Sequence, residues 1–334
     1  MKHTKRNFII VLIISLVVMF FVFKHDYKNI IAMFSDISYR WLILAIVIMA
    51  LYHLLDAYFI HYYCKMTNKK YTFWNSVEVE QTGTFVNSIT PFASGGQVVQ
   101  VLVLAKQKID TKQSASMLML SFISWQIVLV VFGAIVLIFY YTHFLAVYQA
   151  IFSLVILGFL VHVGVIVGLF LMAFSKKFHY FIFAKIIPFL GKLKILKNVE
   201  QKKESTQVWL KLFRDEFNIL LLHKDLMIRR FVIDTLKIFT LYSIPFFAAK
   251  ALNMDMGWSE LKLIIILTAF VYMFAAFIPS PGAAGGTEGT FVILFAPLLG
   301  PATASVMLLW RFLTYYLTML VSFIIFASIK EMKK

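Results

Sequence analysis

The feature that most constrains this chain is its series of apolar runs, each close to the ~20 residues that an α-helix needs to cross a hydrocarbon core. They fall at roughly 7–23, 41–63, 115–141, 150–174, 228–249 and 303–329. Two further apolar stretches, 78–104 and 261–300, are interrupted by nearly the same phrase, TPFASGG at 90–96 and SPGAAGG at 280–286. Proline removes a backbone donor and glycine weakens a helix, so neither stretch is expected to run as one straight helix. A water-soluble domain could not hide this apolar surface, because 61% of the residues are hydrophobic and only 14% are charged. The opening segment begins with charge, as a signal peptide does, but lacks a small-residue cleavage site, and it is read as a retained first helix.

Charge decides how the interrupted stretches lie. A net charge of +16 would suggest nucleic acid in a soluble protein; here no nucleic-acid motif accompanies it, and loops facing an anionic cytoplasmic leaflet explain it. Basic residues cluster at Lys2, Lys5 and Arg6, at Lys65, Lys69 and Lys70, at Lys106, Lys108 and Lys112, between Lys176 and Arg230, and at Lys330, Lys333 and Lys334. If 78–104 crossed the membrane fully, the second and third clusters would face opposite sides. If it enters and returns as a re-entrant hairpin, both are cytoplasmic, as is the long basic segment that follows. An outward-opening hairpin at 261–300 likewise returns the C-terminal KEMKK to the cytoplasm. The stretch 261–279 is also long enough to span alone, and only the C-terminal charges argue against that.

The expected fold is therefore an all-α polytopic membrane protein in the cell membrane with both termini cytoplasmic. About six full transmembrane helices and two re-entrant helical hairpins form an inverted repeat. A single integral membrane domain covers 1–334. Its first helix and external loop occupy 1–40, and repeat one occupies 41–141 with its hairpin at 78–104. A linking helix follows at 142–175, then a basic cytoplasmic segment at 176–227. Repeat two occupies 228–329 with its hairpin at 261–300, and 330–334 is a tail. The stretch from Lys176 to Arg230 holds 13 basic and 5 acidic residues interleaved with Phe, Leu and Ile, the pattern of an amphipathic region on an anionic inner leaflet.

Non-helical backbone at membrane depth is tolerated only where protein or a water-filled cavity satisfies it, and broken helices at matching places in two repeats point to a transport site. The tips are thus expected to meet at one cavity, with Asn87, Thr90, Pro91, Gly95, Gly96, Gln97, Pro281, Gly285 and Gly286 around it. N–H groups at the helix starts after Gly96 and Gly286 offer a seat for an anion such as a phosphate. The competing reading is that the phrases are kinks that let helices pack closely.

Glu288 and Arg311 are ionisable residues inside apolar sequence, which is expensive and marks a functional hypothesis. Either Arg311 binds a lipid phosphate while Glu288 balances it or binds a cationic head group, or the two form a structural salt bridge. His53 and Asp56, three apart on one helix, are a candidate proton relay. Glu78 and Glu80 read as acids near a helix N-terminus, with a gate for cationic head groups as the rival role. Trp125, Trp310, Tyr315 and Tyr316 either line a lipid path or pack, and His162 reads as a packing residue. The single Cys64 and the absence of a metal-ligand motif leave no metal or cofactor to expect.

FVNSITPFASGGQVVQVLVL, FIPSPGAAGGTEGTFVILFAPLLG and LLWRFLTYYL together resemble the lysylphosphatidylglycerol synthase transmembrane-region family, the membrane half of the multiple peptide resistance factor, over nearly the whole chain. The resemblance implies a lipid flippase that moves lysyl-phosphatidylglycerol or other anionic or glycosylated lipids between leaflets. Its first motif falls on Asn87, Pro91, Gly95, Gly96 and Gln97, where many members carry Gly-Glu and a basic residue. Its second falls on Pro279, Pro281, Gly282, Gly286 and Glu288, followed by Arg311. Members fused to a soluble aminoacyltransferase domain make the lipid from lysyl-tRNA; the sequence in hand ends at Lys334, directly after its last apolar run, so no such domain is expected in it. The alternatives are a membrane component of phosphatidylglycerol lysyltransferase and a helper subunit of a lipid-modifying enzyme.

Overall fold

A computed structural model of the chain describes residues 35–147, 149–192, 223–275 and 278–329, with scattered positions between 198 and 217. The predicted helix at 7–23, much of the basic segment and the tail at 330–334 lie outside the described residues. The described chain is helical, and its one extended contact is an isolated bridge. In order it forms α1 (Tyr39–Thr67), α2 (Phe73–Ser88), α3 (Gly96–Lys106), α4 (Thr111–Val147) and α5 (Gln149–Phe174). Next, α6 (Lys176–Phe181) passes through a π-helical turn at Ile182–Ile186 into α7 (Ile187–Lys192). The second half comprises α8 (Lys224–Ala251), α9 (Trp258–Ala275) and α10 (Gly286–Leu299), then α11 (Thr303–Arg311), a π-helical stretch at Phe312–Leu317 and α12 (Thr318–Ser328). Helix starts carry their own signals: the Thr72 hydroxyl accepts the Asn75 N–H ahead of α2, and Asp110 accepts the N–H groups of Lys112 and Gln113 ahead of α4.

Among the described residues six runs are long and apolar enough to cross a membrane: Tyr39–Thr67, Thr111–Thr142, Val155–Phe174, Lys224–Ala251, Trp258–Ala275 and Gly286–Ser328. Five of them correspond to the predicted spans 41–63, 115–141, 150–174, 228–249 and 303–329, while the predicted span at 7–23 lies outside the described residues. Trp258–Ala275, read as a hairpin leg, qualifies at 18 residues, a rise of about 27 Å. By contrast, the 11 residues of α3 rise only about 16 Å. The last run is not one rod. The rings of Phe291 and Trp310 stack with centroids 4.7 Å apart, whereas a continuous helix would separate them by about 28 Å. The chain turns back at Gly300, whose φ is +52°, immediately before Pro301.

α8 sits at the centre. Its apolar window has the lowest mean hydropathy of the six, 1.4, yet 67% of it is buried, against 22% for Val155–Phe174. A helix sheathed by protein can carry charge that a lipid-facing helix cannot. It runs antiparallel along α1: Ser38 N–H donates to the Ala251 carbonyl (2.7 Å) at one end, and Arg229 bonds the Tyr58 hydroxyl (3.2 Å) near the other. Two large apolar clusters and a small third one, which includes Ile123 and Leu169, fill the interior among the described residues. The larger of the first two gathers Tyr242, Phe270, Phe291, Phe295 and Trp310, and the smaller of them gathers Phe59, Tyr71, Leu104, Met117 and Leu226.

Candidate functional site

The two repeated phrases end α2 and α9, and they fold alike. In the first, the Thr90 carbonyl accepts from Ala93 N–H (3.2 Å) and the Pro91 carbonyl from Ser94 N–H (3.2 Å). In the second, Ser280 accepts from Ala283 (2.9 Å) and Pro281 from Ala284 (3.3 Å). Left-handed residues follow each proline, Phe92 and Ala93 with φ of 54° and 50°, Gly282 and Ala283 with 61° and 50°. Proline second and a left-handed residue third is the pattern of a tight turn for which Pro-Gly is suited. The tips also touch: Pro91 and Pro281 face one another as an antiparallel bridge. Neither has an N–H, so the two prolines cannot donate to one another across that contact. The Tyr315 hydroxyl donates to the Ser88 carbonyl (2.9 Å), and its ring occupies the space that any Cβ on Gly282 would need.

Behind the first tip, side chains hold the two glycine N–H groups at the start of α3. Gly95 N–H donates to the Thr90 hydroxyl (3.2 Å) and Gly96 N–H to Asn87 Oδ1 (2.8 Å). Buried donors must find a partner, and here side chains of the preceding helix supply it. In the second copy the Glu288 carboxylate reaches back to Gly285 N–H (2.8 Å). The first tip is thus capped from the helix before it and the second from the helix after it.

Beside the tips lies a cavity of about 590 Å³. It sits between the two large apolar clusters, sharing Met49 and Leu241 with the larger and Ile60 and Leu118 with the smaller. Its wall carries three cations, Arg230, Lys237 and Arg311. α8 presents Arg230, Asp234 and Lys237 at spacings of four and three, on one helical face. Asp56 of α1 joins the two cations, with Oδ1 2.8 Å from Arg230 Nη1 and Oδ2 accepting from Lys237 Nζ. Asp234 accepts from Arg230 Nε (3.0 Å) and Nη2 (2.5 Å) and from the Ser124 hydroxyl (2.6 Å). The Lys237 ammonium also lies 4.8 Å from the ring centres of Tyr52 and Trp125.

A second charged group sits at the second tip. Arg311 Nε donates to Glu288 Oε1 (2.7 Å) and Nη2 to the Gly282 carbonyl (3.1 Å), with the guanidinium 4.4 Å from the Tyr315 ring centre. The π-helical stretch begins at the next residue, and such stretches frequently mark functional positions. On the other wall, His53 Nδ1 lies 3.1 Å from Glu80 Oε1, which also accepts the Thr84 hydroxyl (3.1 Å). Buried ion pairs add little net stability, since desolvation offsets attraction, so stability alone does not explain two such groups and a histidine–carboxylate contact around one cavity.

Of the residues singled out from sequence, His53, Asp56, Asn87, Gln97 and Arg311 line the cavity. Thr90, Pro91, Gly95, Gly96, Pro281, Gly285, Gly286 and Glu288 build the tips behind it. His53 and Asp56 bond different partners on different helices rather than each other. Glu80 is not a helix-start acid; it is buried eight residues into α2 and faces His53, whereas Glu78 accepts from Gln107 (3.2 Å). Trp125 and Tyr315 line the cavity, and Trp310 is wholly buried in the core. His162 Nδ1 pairs with Gln126 (2.8 Å). Arg230 and Asp234 were missed as site residues, Arg230 being counted with the basic segment; the signal available was their spacing with Lys237 inside RRFVIDTLK.

The family described as lysylphosphatidylglycerol synthase TM region matches residues 8–322 of the 334. The chain belongs to this family. No curated protein matches it. As a member of the lysylphosphatidylglycerol synthase TM-region family with six spanning-length apolar runs among the described residues, it is a multi-pass membrane protein related to lysylphosphatidylglycerol handling.

Proposed function

We propose that the chain is a flippase-type transporter that moves the head group of an anionic or modified phospholipid between leaflets, with lysyl-phosphatidylglycerol as the class its family indicates. The observation that carries this reading is the contact between two equivalent helix breaks, Pro91 with Pro281, beside a cavity walled by Arg230, Lys237 and Arg311. A volume of about 590 Å³ lies within the usual range for ligand sites, roughly 300–1,000 Å³. Buried charge facing that space is expected where a charged head group passes through a membrane.

On this reading α2 with α3, and α9 with α10, are re-entrant hairpins of an inverted repeat. The first pair opens beside Tyr71 and Gln107, whose side chains bond at 2.8 Å, and the second opens beside Phe246 and Trp258, whose rings stack at 6.1 Å. The antiparallel course of α1 and α8 puts those two places at opposite ends of the bundle. Lys65, Lys69, Lys70, Lys106, Lys108 and Lys112 share the first end, which we assign to the cytoplasm. A bridge between equivalent residues is what a two-fold axis through the tips would produce.

Two experiments test the reading. Vesicles containing the protein and labelled lysyl-phosphatidylglycerol, phosphatidylglycerol or a glycolipid are expected to exchange at least one of these between leaflets faster than empty vesicles. No acceleration for any of them sinks the proposal, and aminoacylation of phosphatidylglycerol from charged tRNA would replace it with the transferase reading. For the architecture, single cysteines replacing Asn253 or Lys106 in a Cys64→Ser background should label from opposite sides of the membrane; labelling from one side refutes the inverted repeat.

A further inference from the structure

The charges around the cavity do not balance. Arg230, Lys237 and Arg311 stand against the buried Asp234, Glu80 and Glu288 and the part-buried Asp56, three cations for four carboxylates at the cavity and its tips among the described residues. Arg230 and Lys237 match Asp56 and Asp234, and Arg311 matches Glu288. The carboxylate left over is Glu80, and the ionisable group against it is His53, at 3.1 Å. Tyr52 and Asp56 on α1 adjoin His53, and Lys237 and Arg230 on α8 meet that Asp56, with Asp234 beside them; the cavity wall also carries Tyr272 on α9, Arg311 on α11 and Tyr315 in the π-helical stretch. With Nδ1 directed at Glu80, the Nε2 of His53 is buried and has no hydrogen-bond partner among the described residues.

A buried carboxylate is costly until an opposite charge meets it, and histidine is the side chain that acquires one near neutral pH. We propose that His53 and Glu80 form a proton-binding site, and that a proton on His53 and the positive group of a cationic lipid head are alternative occupants of the cavity. The proton adds to Nε2 while Nδ1–H stays on Glu80 Oε1, so the loaded site is an imidazolium–carboxylate pair and these charges sum to zero. When a cationic head group enters, Nε2 releases that proton to water and the head group supplies the missing charge. The inference rests on the transport reading and gives it an energy source, a proton gradient exchanged against a net-cationic lipid. Histidine and carboxylate thus act across two helices, where the sequence spacing had suggested His53 with Asp56.

The test uses the full chain in vesicles with lysyl-phosphatidylglycerol, net cationic, and phosphatidylglycerol, net anionic, as probes. For one-for-one exchange, a gradient of about one pH unit should move the steady leaflet ratio of the cationic lipid about tenfold, towards the more acidic side. The anionic lipid should show no such exchange. In His53→Gln and Glu80→Gln the difference between the two gradient directions should vanish, whatever the absolute rate. Independently of any variant, adding water-soluble lysyl-glycerophosphoglycerol to the solubilised protein in weak buffer should release about one proton per head group bound. Lipid exchange that ignores the gradient, or binding without proton release, overturns the coupling and leaves transport standing. No exchange of any lipid overturns both.

Discussion

The pair formed by Glu288 and Arg311 admits a quantitative test. Both residues are more than nine-tenths buried, so solvent screening does not discount their interaction. Glu288→Gln keeps an oxygen able to cap Gly285 but leaves the Arg311 guanidinium with the Gly282 carbonyl and no carboxylate. Arg311→Met leaves the converse, a carboxylate held by one backbone N–H. Each single change should cost about 3–5 kcal/mol, the usual penalty for orphaning a buried charge. The double variant strands neither charge and should cost no more than about one of the singles, giving a coupling near 3 kcal/mol. Unfolding followed by circular dichroism in mixed micelles titrated with dodecyl sulfate measures all four proteins. Additivity within about 0.5 kcal/mol would refute the pairing. Lipid exchange by the double variant then separates the two roles: recovered exchange means that the pair only fastens α10 to α11, whereas a stable but inactive protein means that Arg311 meets the lipid.

The other ion pairs and the tips lead to similar expectations. Asp56→Asn leaves Arg230 and Lys237 to share Asp234 and should destabilise the fold by about 3 kcal/mol, most of it recovered by adding Lys237→Met, as thermal unfolding in nanodiscs would show. Gly282→Ala forces a side chain into the Tyr315 ring at a backbone angle of +61°, and should cost about 2 kcal/mol or more while slowing lipid exchange. Tyr315→Phe deletes the bond to the Ser88 carbonyl alone and should cost only about 1 kcal/mol by the same assay. Gly96→Ala would put a methyl group 2.5 Å from Asn87 Oδ1, displacing the cap at a cost of about 1 kcal/mol.

Much of this protein is written locally. A run of about twenty apolar residues must be a membrane-length helix because its backbone has no other way to satisfy its polar groups in lipid. Proline and glycine break a helix wherever they stand, so the ends of α2 and α9, the starts of α3 and α10 and the likeness of the two tips were legible in TPFASGG and SPGAAGG. Arg311 and Glu288 were legible for the same reason, as charges where apolar sequence forbids them. The partners were not. That Glu80 faces His53, that Asp56 ties Arg230 to Lys237, and that Asn87 rather than a ligand holds the N–H of Gly96 depend on helices brought together from distant parts of the chain. Hydropathy and spacing describe one helix at a time; which buried charge meets which, and which one is left over, is settled only when the helices pack and exclude water from between them.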